Sequence, residues 1–178
     1  MLKELVNNLE IIIENVKSND LDRIIFGELC FDKQKIISSH FYDEHNKRDI
    51  EFEMLESLEE FYSKPGTGNI YISEVKLGLC IHDVMTVISF DKVLGDIVIN
   101  FEDSELIKDS ITSNDCVQFV NKFQSIISKY DIGSIIIGYE PASDNDMKLI
   151  TFTKQGIKMH EDNFPLIWSD FKKNVFTF

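Results

Sequence analysis

Four groups of residues have the types that metal or acid–base chemistry uses, and their spacing decides what each is worth. His40, Asp43, Glu44 and His45 form the densest group. On an extended segment His40 and His45 point to opposite sides, and no third and fourth ligand follows at metal spacing, so a solvated strand end is expected. His82 and Asp83 are an acid–base pair in type, with Cys80 on the same strand face as His82, but no nucleophile motif flanks them. Glu140, Asp144 and Asp146 resemble part of a calcium loop, yet Met147 and Lys148 stand where a third ligand and the sharp-turn glycine belong. Pro65-Gly66-Thr67-Gly68 lacks the Lys-Ser/Thr of a phosphate loop and opens no helix, which makes it a turn. Cys30, Cys80 and Cys116 are far apart and set among apolar neighbours, the pattern of reduced core thiols rather than of a disulfide framework or a zinc site. The expectation is therefore a protein with no catalytic residue, no cofactor and no metal, and not an enzyme.

The elements that would hold these groups follow from hydrophobic period. Leu2, Leu5, Val6, Leu9, Ile12, Ile13 and Val16 recur at helical spacing, predicting an amphipathic helix that ends near Ser18. Ile24 to Phe31 and Lys35 to Tyr42 are β-branched and aromatic around Asp32-Lys33-Gln34, predicting a hairpin. A short acidic helix is predicted between Ile50 and Ser63, stopped by the Pro65–Gly68 run. Strands are predicted at 70–75, 77–82, 84–90 and 96–102, the last two joined by Asp91-Lys92-Val93-Leu94-Gly95.

A second helix runs from a cap at Ser113 or Asn114 to Gly133, burying Val117, Val120, Phe123, Ile126, Ile127 and Tyr130. Two strands, 134–140 and 147–153, flank a polar loop, and the tail with Pro165, Trp168, Phe171 and Phe176 folds back as a short helix with an extended end. These elements make one α+β domain over residues 1–178: a mainly antiparallel sheet, with room for strong curvature, and the two long helices packed on one face.

At 178 residues with 43% hydrophobic and 28% charged, the chain can bury a core and is not of disordered composition. Glu4, Glu10 and Glu14 interrupt the first apolar stretch, so no secretory signal is read there, and no apolar run approaches the roughly 18 residues that span a bilayer. A cytoplasmic protein is expected. The net charge of −13 repels phosphate backbones and anionic lipid, which argues against nucleic acid and membrane as partners. The acids are dense in 43–60, 91–109 and 140–146. Such a face serves solubility, or it docks a cationic partner by complementary potential.

The stretch GSIIIGYEPASDNDMKLITFTKQG at 133–156 and the hairpin ISFDKVLGDIVINF at 88–101 look like strands of the immunity proteins of bacterial polymorphic-toxin and contact-dependent growth inhibition systems, which the whole layout resembles. That resemblance implies a small acidic α+β protein that neutralises a cognate toxin, and it assigns no inhibitory residue. A basic toxin, with a nuclease as the prime example, fits the charge. The carboxylates expected to meet it are Glu102, Asp103 and Glu105 beside one strand and Glu140, Asp144 and Asp146 beside another. The alternative is a small enzyme or ligand-binding domain with a pocket near His82 or His40.

Overall fold

The computed structural model describes residues 7–43, 45–108 and 110–176, apart from the side chains of residues 167, 174 and 176. Its frame is an antiparallel sheet of nine strands: β1 (Asn8–Lys17), β2 (Ile36–Asp43), β3 (Arg48–Ile50), β4 (Gly66–Lys76), β5 (Cys80–Asp91), β6 (Leu94–Glu102), β7 (Ile135–Tyr139), β8 (Lys148–Thr153) and β9 (Gly156–Met159). Their order across the sheet is β3-β2-β4-β5-β6-β1-β7-β8-β9. The α+β expectation thus holds at the level of a mostly antiparallel sheet with a few helices.

Several expectations are corrected, four of them in the kind of element formed. The first predicted helix is, over its described part, the strand β1, paired with β6 on one side and β7 on the other; Leu2, Leu5 and Val6 lie outside the described residues. Leu9, Ile11 and Ile13 alternate into the core at no exposure, while Glu10, Ile12 and Glu14 on the other face are half-buried. Residues 24–31 are not a strand, because Arg23–Glu28 winds into a π-helical segment that buries Ile24 and Ile25. The acidic helix shrinks to a 3₁₀ turn at Phe52–Met54 and a single turn, α1 (Leu58–Phe61), with the Ser57 hydroxyl accepting from the Glu60 N–H.

The fourth concerns Gly66-Thr67-Gly68, which opens β4 instead of turning. A Cβ at Gly68 would lie inside the contact shell of the Phe41 ring, so this glycine lets an aromatic side chain cover the strand. The separate strands at 77–82 and 84–90 are also one, β5, which passes through Asp83 at φ 52°. The last strand, β9, had no counterpart in the sequence reading.

The second predicted helix is present as α3 (Ser113–Lys129), after a short α2 (Ser104–Ile107). Its cap is Thr112 rather than Ser113 or Asn114. The Thr112 hydroxyl accepts from the Asp115 N–H at 3.2 Å and the Asp115 carboxylate accepts from the Thr112 N–H at 2.9 Å, two first-turn amides satisfied reciprocally. The buried stripe is Cys116, Phe119, Val120, Phe123, Ile126 and Ile127; Val117 and Tyr130 sit at its margin. Phe123 packs on Phe152 of β8 at 6.0 Å between ring centres, which seats α3 on the sheet. The tail supplies α4 (Ser169–Phe176), whose Phe171 meets Phe119. Trp168 is fully buried and donates its indole N–H to the Tyr139 hydroxyl at 2.8 Å. Among the described residues no helix is long and apolar enough to cross a membrane.

Asp131, just past α3, ties three parts of the chain together. It accepts from Lys17 at 2.7 Å and Lys154 at 2.8 Å, and these two ammonium groups hold its pKa down to about 2. A carboxylate whose folded pKa lies below its unfolded value of 3.8 stabilises the fold above that value, and the contribution is lost as pH falls from 3.8 toward 2. Asp131→Asn is expected to remove that part of the acid limb and so to lower stability at pH 7, by a modest amount because exposed pairs contribute weakly. Urea midpoints of both proteins at pH 7, 4 and 2.5 check this; a gap between them that does not narrow on acidification would contradict it.

Candidate functional site

The loops that follow β6 and β7 emerge at the same end of the sheet, on either side of the start of β1. Asn8 pairs with Glu102, its carbonyl accepts from the Glu140 N–H, and its side-chain amide donates to the Glu140 carboxylate at 3.3 Å. Two carboxylate groups that lie far apart in sequence are thereby brought together by one strand. Glu102, Glu140, Asp144 and Asp146 are exposed there.

The other two carboxylates of the set are engaged internally. Asp103 is only 6% exposed and accepts from the Tyr139 hydroxyl at 3.3 Å. Burial, with Asp103 alongside, pushes the Tyr139 phenol up to about 12. Glu105 accepts from the backbone N–H of His82 at 3.0 Å, from the His82 ring at 2.8 Å and from Lys108 at 2.9 Å. Burial alone would raise the Glu105 pKa, but these donors outweigh it and the carboxyl is held below its usual range.

His82 stands at the start of β5, directly across from Glu74 of β4. Its Nε2 lies 3.7 Å from Cys80 Sγ and 4.0 Å from a Glu74 oxygen, while Lys35 donates to the other Glu74 oxygen. Asp83 faces elsewhere and accepts from the Tyr71 hydroxyl, so it is not placed as an acid–base partner of His82. Glu74 was missed by the sequence reading because only the β4–β5 register places it beside His82.

His40 is exposed and meets Asp49 at 3.5 Å, and Asp43 binds the amides of His45 and Asn46 as a turn residue; Glu44 lies outside the described residues. Cavities are lined by Tyr42, Met54, Glu60 and Pro65, by Val120, Gln124 and Ile157, and by Ile37, Glu51 and Phe52. None of these three takes in His40 or His82. Of the three cysteines Cys116 is buried, Cys80 half-buried and Cys30 exposed, so Cys30 departs from the expected core thiol.

The family model described as PABL017 Cdi1I immunity protein matches residues 7–155. The chain belongs to this family of immunity proteins. The match begins at the residue before β1 and ends in the turn after β8, so it takes in both carboxylate loops and the His82 cluster. Among solved structures, a chain from the crystal structure of the toxic C-terminal tip of CdiA from Pseudomonas aeruginosa in complex with immune protein resembles this one with a TM-score of 0.64 at 15% identity. The likeness covers 83% of this chain and 95% of that chain, and at this identity it speaks for the fold. No curated protein matches the sequence.

Proposed function

We propose that this protein neutralises a CdiA-type toxin tip by binding it, acting in the cytoplasm as a binding protein and not as an enzyme. The observation that carries the reading is the immunity-family match across residues 7–155. The solved relative, whose crystal holds a CdiA toxic tip with its immune protein, supports it. Co-expression with the cognate CdiA-type toxin tip is the test: cells making both are expected to grow where the tip alone arrests them, and the purified chains to co-elute. Equal arrest with and without this protein would overturn the reading.

The partner that suits the charge is cationic, and a nuclease is the leading candidate because its groove must be positive to hold phosphates. The docking carboxylates on this proposal are Glu102, Glu140, Asp144 and Asp146, which share one end of the sheet; Asp103 and Glu105 support that end from within. Exposed charges act mainly on the association rate, and salt screens them over a Debye length of about 8 Å. Reversing Glu102, Asp144 and Asp146 together to Lys is expected to slow association with the tip about tenfold or more at low salt. Stopped-flow kinetics over a salt series reads this. Rates indifferent to salt and to charge reversal would move the docking surface elsewhere.

A further inference from the structure

The geometry points to a zinc site formed by Glu74, Cys80 and His82 where β4 turns into β5, oriented by Glu105 from α2. It goes beyond toxin neutralisation and departs from the metal-independence that linear spacing suggests. Spacing searches look for ligands near in sequence. Here two of the three, Glu74 and His82, become neighbours only as a cross-strand pair.

The ligand atoms of the three residues all lie within 4.8 Å of one another. A tetrahedral zinc ion with Zn–S of 2.3 Å and Zn–N of about 2.0 Å sets its sulfur and nitrogen ligands about 3.6 Å apart. Cys80 Sγ and His82 Nε2 are 3.7 Å apart. The Glu74 oxygen is 4.0 Å from Nε2, against roughly 3.4 Å for a nitrogen–oxygen ligand pair, so a bound ion would draw the two closer.

The second observation is the orientation of the histidine. Its Nδ1 faces Glu105 at 2.8 Å, which turns Nε2 toward Cys80 and Glu74. A carboxylate behind a histidine in this way orients a metal-binding ring and increases its basicity. Glu74 is pre-set in a similar manner, with Lys35 holding one oxygen and the other turned toward His82. Thiolate, imidazole and a single carboxylate form a set for zinc, not for magnesium or calcium, which take oxygen. Three protein ligands leave the fourth position for water.

The Cys80 thiol must give up its proton to bind the ion, so binding strengthens as pH rises. Glu74, Glu105, Lys35 and Lys108 are the charged groups facing the site. The two ammonium groups lower its affinity and favour an ion that bonds sulfur.

The test uses the full purified chain, stripped of metal, titrated with zinc against a competing chelator and separately with cobalt(II). One equivalent of each is expected to bind, with a thiolate-to-cobalt charge-transfer band and tetrahedral d–d bands, and with no response to magnesium. Cys80→Ser is expected to abolish the charge-transfer band, His82→Ala to weaken zinc about a hundredfold, and Glu105→Gln about tenfold, the cost usual for an orienting carboxylate. Cys30→Ser should leave binding unchanged, since that thiol lies elsewhere. Absence of a thiolate–cobalt band in the unaltered protein, or zinc affinity that survives Cys80→Ser with His82→Ala, overturns the site. Neither result bears on whether the protein neutralises a toxin.

Discussion

Truncating Phe123 to alanine is expected to cost about 3–5 kcal/mol of stability, the range seen when a large aromatic side chain is removed from a core that cannot fully collapse. Phe123 has no solvent exposure and lies where α3 meets both the sheet and its own helical neighbour, 5.1 Å from the Phe119 ring and 6.0 Å from Phe152. Ile137, in the middle of β7 between Ile11 and Ile150, is its counterpart within the sheet, and Ile137→Ala should cost about 2–5 kcal/mol. At about 2–4 °C per kcal/mol for a chain of this size, Phe123→Ala should lower the melting temperature by roughly 6–20 °C. Melting curves unchanged by both substitutions would mean that neither residue is in the core.

Gly78→Ala should be as damaging for the sake of one methyl group. Gly78 sits in the β4–β5 turn at φ +89°, a conformation that costs a residue with a Cβ about 1–3 kcal/mol. A Cβ built there would also come within 2.5 Å of the Gln118 and Phe119 backbone in α3, and a rigid helix backbone cannot rotate aside. Overpacking of this kind adds about 1–3 kcal/mol, so a total of about 2–6 kcal/mol is expected. Gly27→Ala is the control: its added methyl meets nothing within 4 Å, and the substitution should be neutral or mildly stabilising. Equal urea midpoints for the two variants would contradict the close approach of the turn to α3.

How much of this was legible in the sequence depends on whether a signal was local. The α3 helix was readable because its apolar stripe, first-turn Asp115 and polar cap region all sit within its own length. The hairpin at 88–101 was readable for the same reason. For β1, Leu9, Ile12, Ile13 and Val16 fit a helical period while Leu9, Ile11 and Ile13 fit a strand equally well; pairing with two distant strands decided for the strand. Residues 24–26 are β-branched and aromatic, yet they coil against α3, because burial of Ile24 and Ile25 outweighs strand preference. The Pro65–Gly68 run looked like a breaker, but a glycine that admits the Phe41 ring and a glycine that turns the chain have the same letter. The acidic loops were visible as composition, and their meeting at Asn8 was not.

The interior position of β1 acts in time as well as in space. The meander β4-β5-β6 joins strands that follow one another in the chain, so it can form as soon as its own residues are made. β1 is different: its pair nearest in sequence is Lys17 with Leu94 across one edge and Ile13 with Ile135 across the other. Of the nine strands β1 is made first, yet it waits with both edges unpaired until β6 is made, and with one edge unpaired until β7 follows. Long-range closures of this kind slow folding, and a waiting strand that carries Ile11, Ile12 and Ile13 is a natural target for chaperones and for aggregation. A message cut short before Tyr139 yields a chain whose central strand lacks one flank, so a working molecule comes only from translation that runs past it.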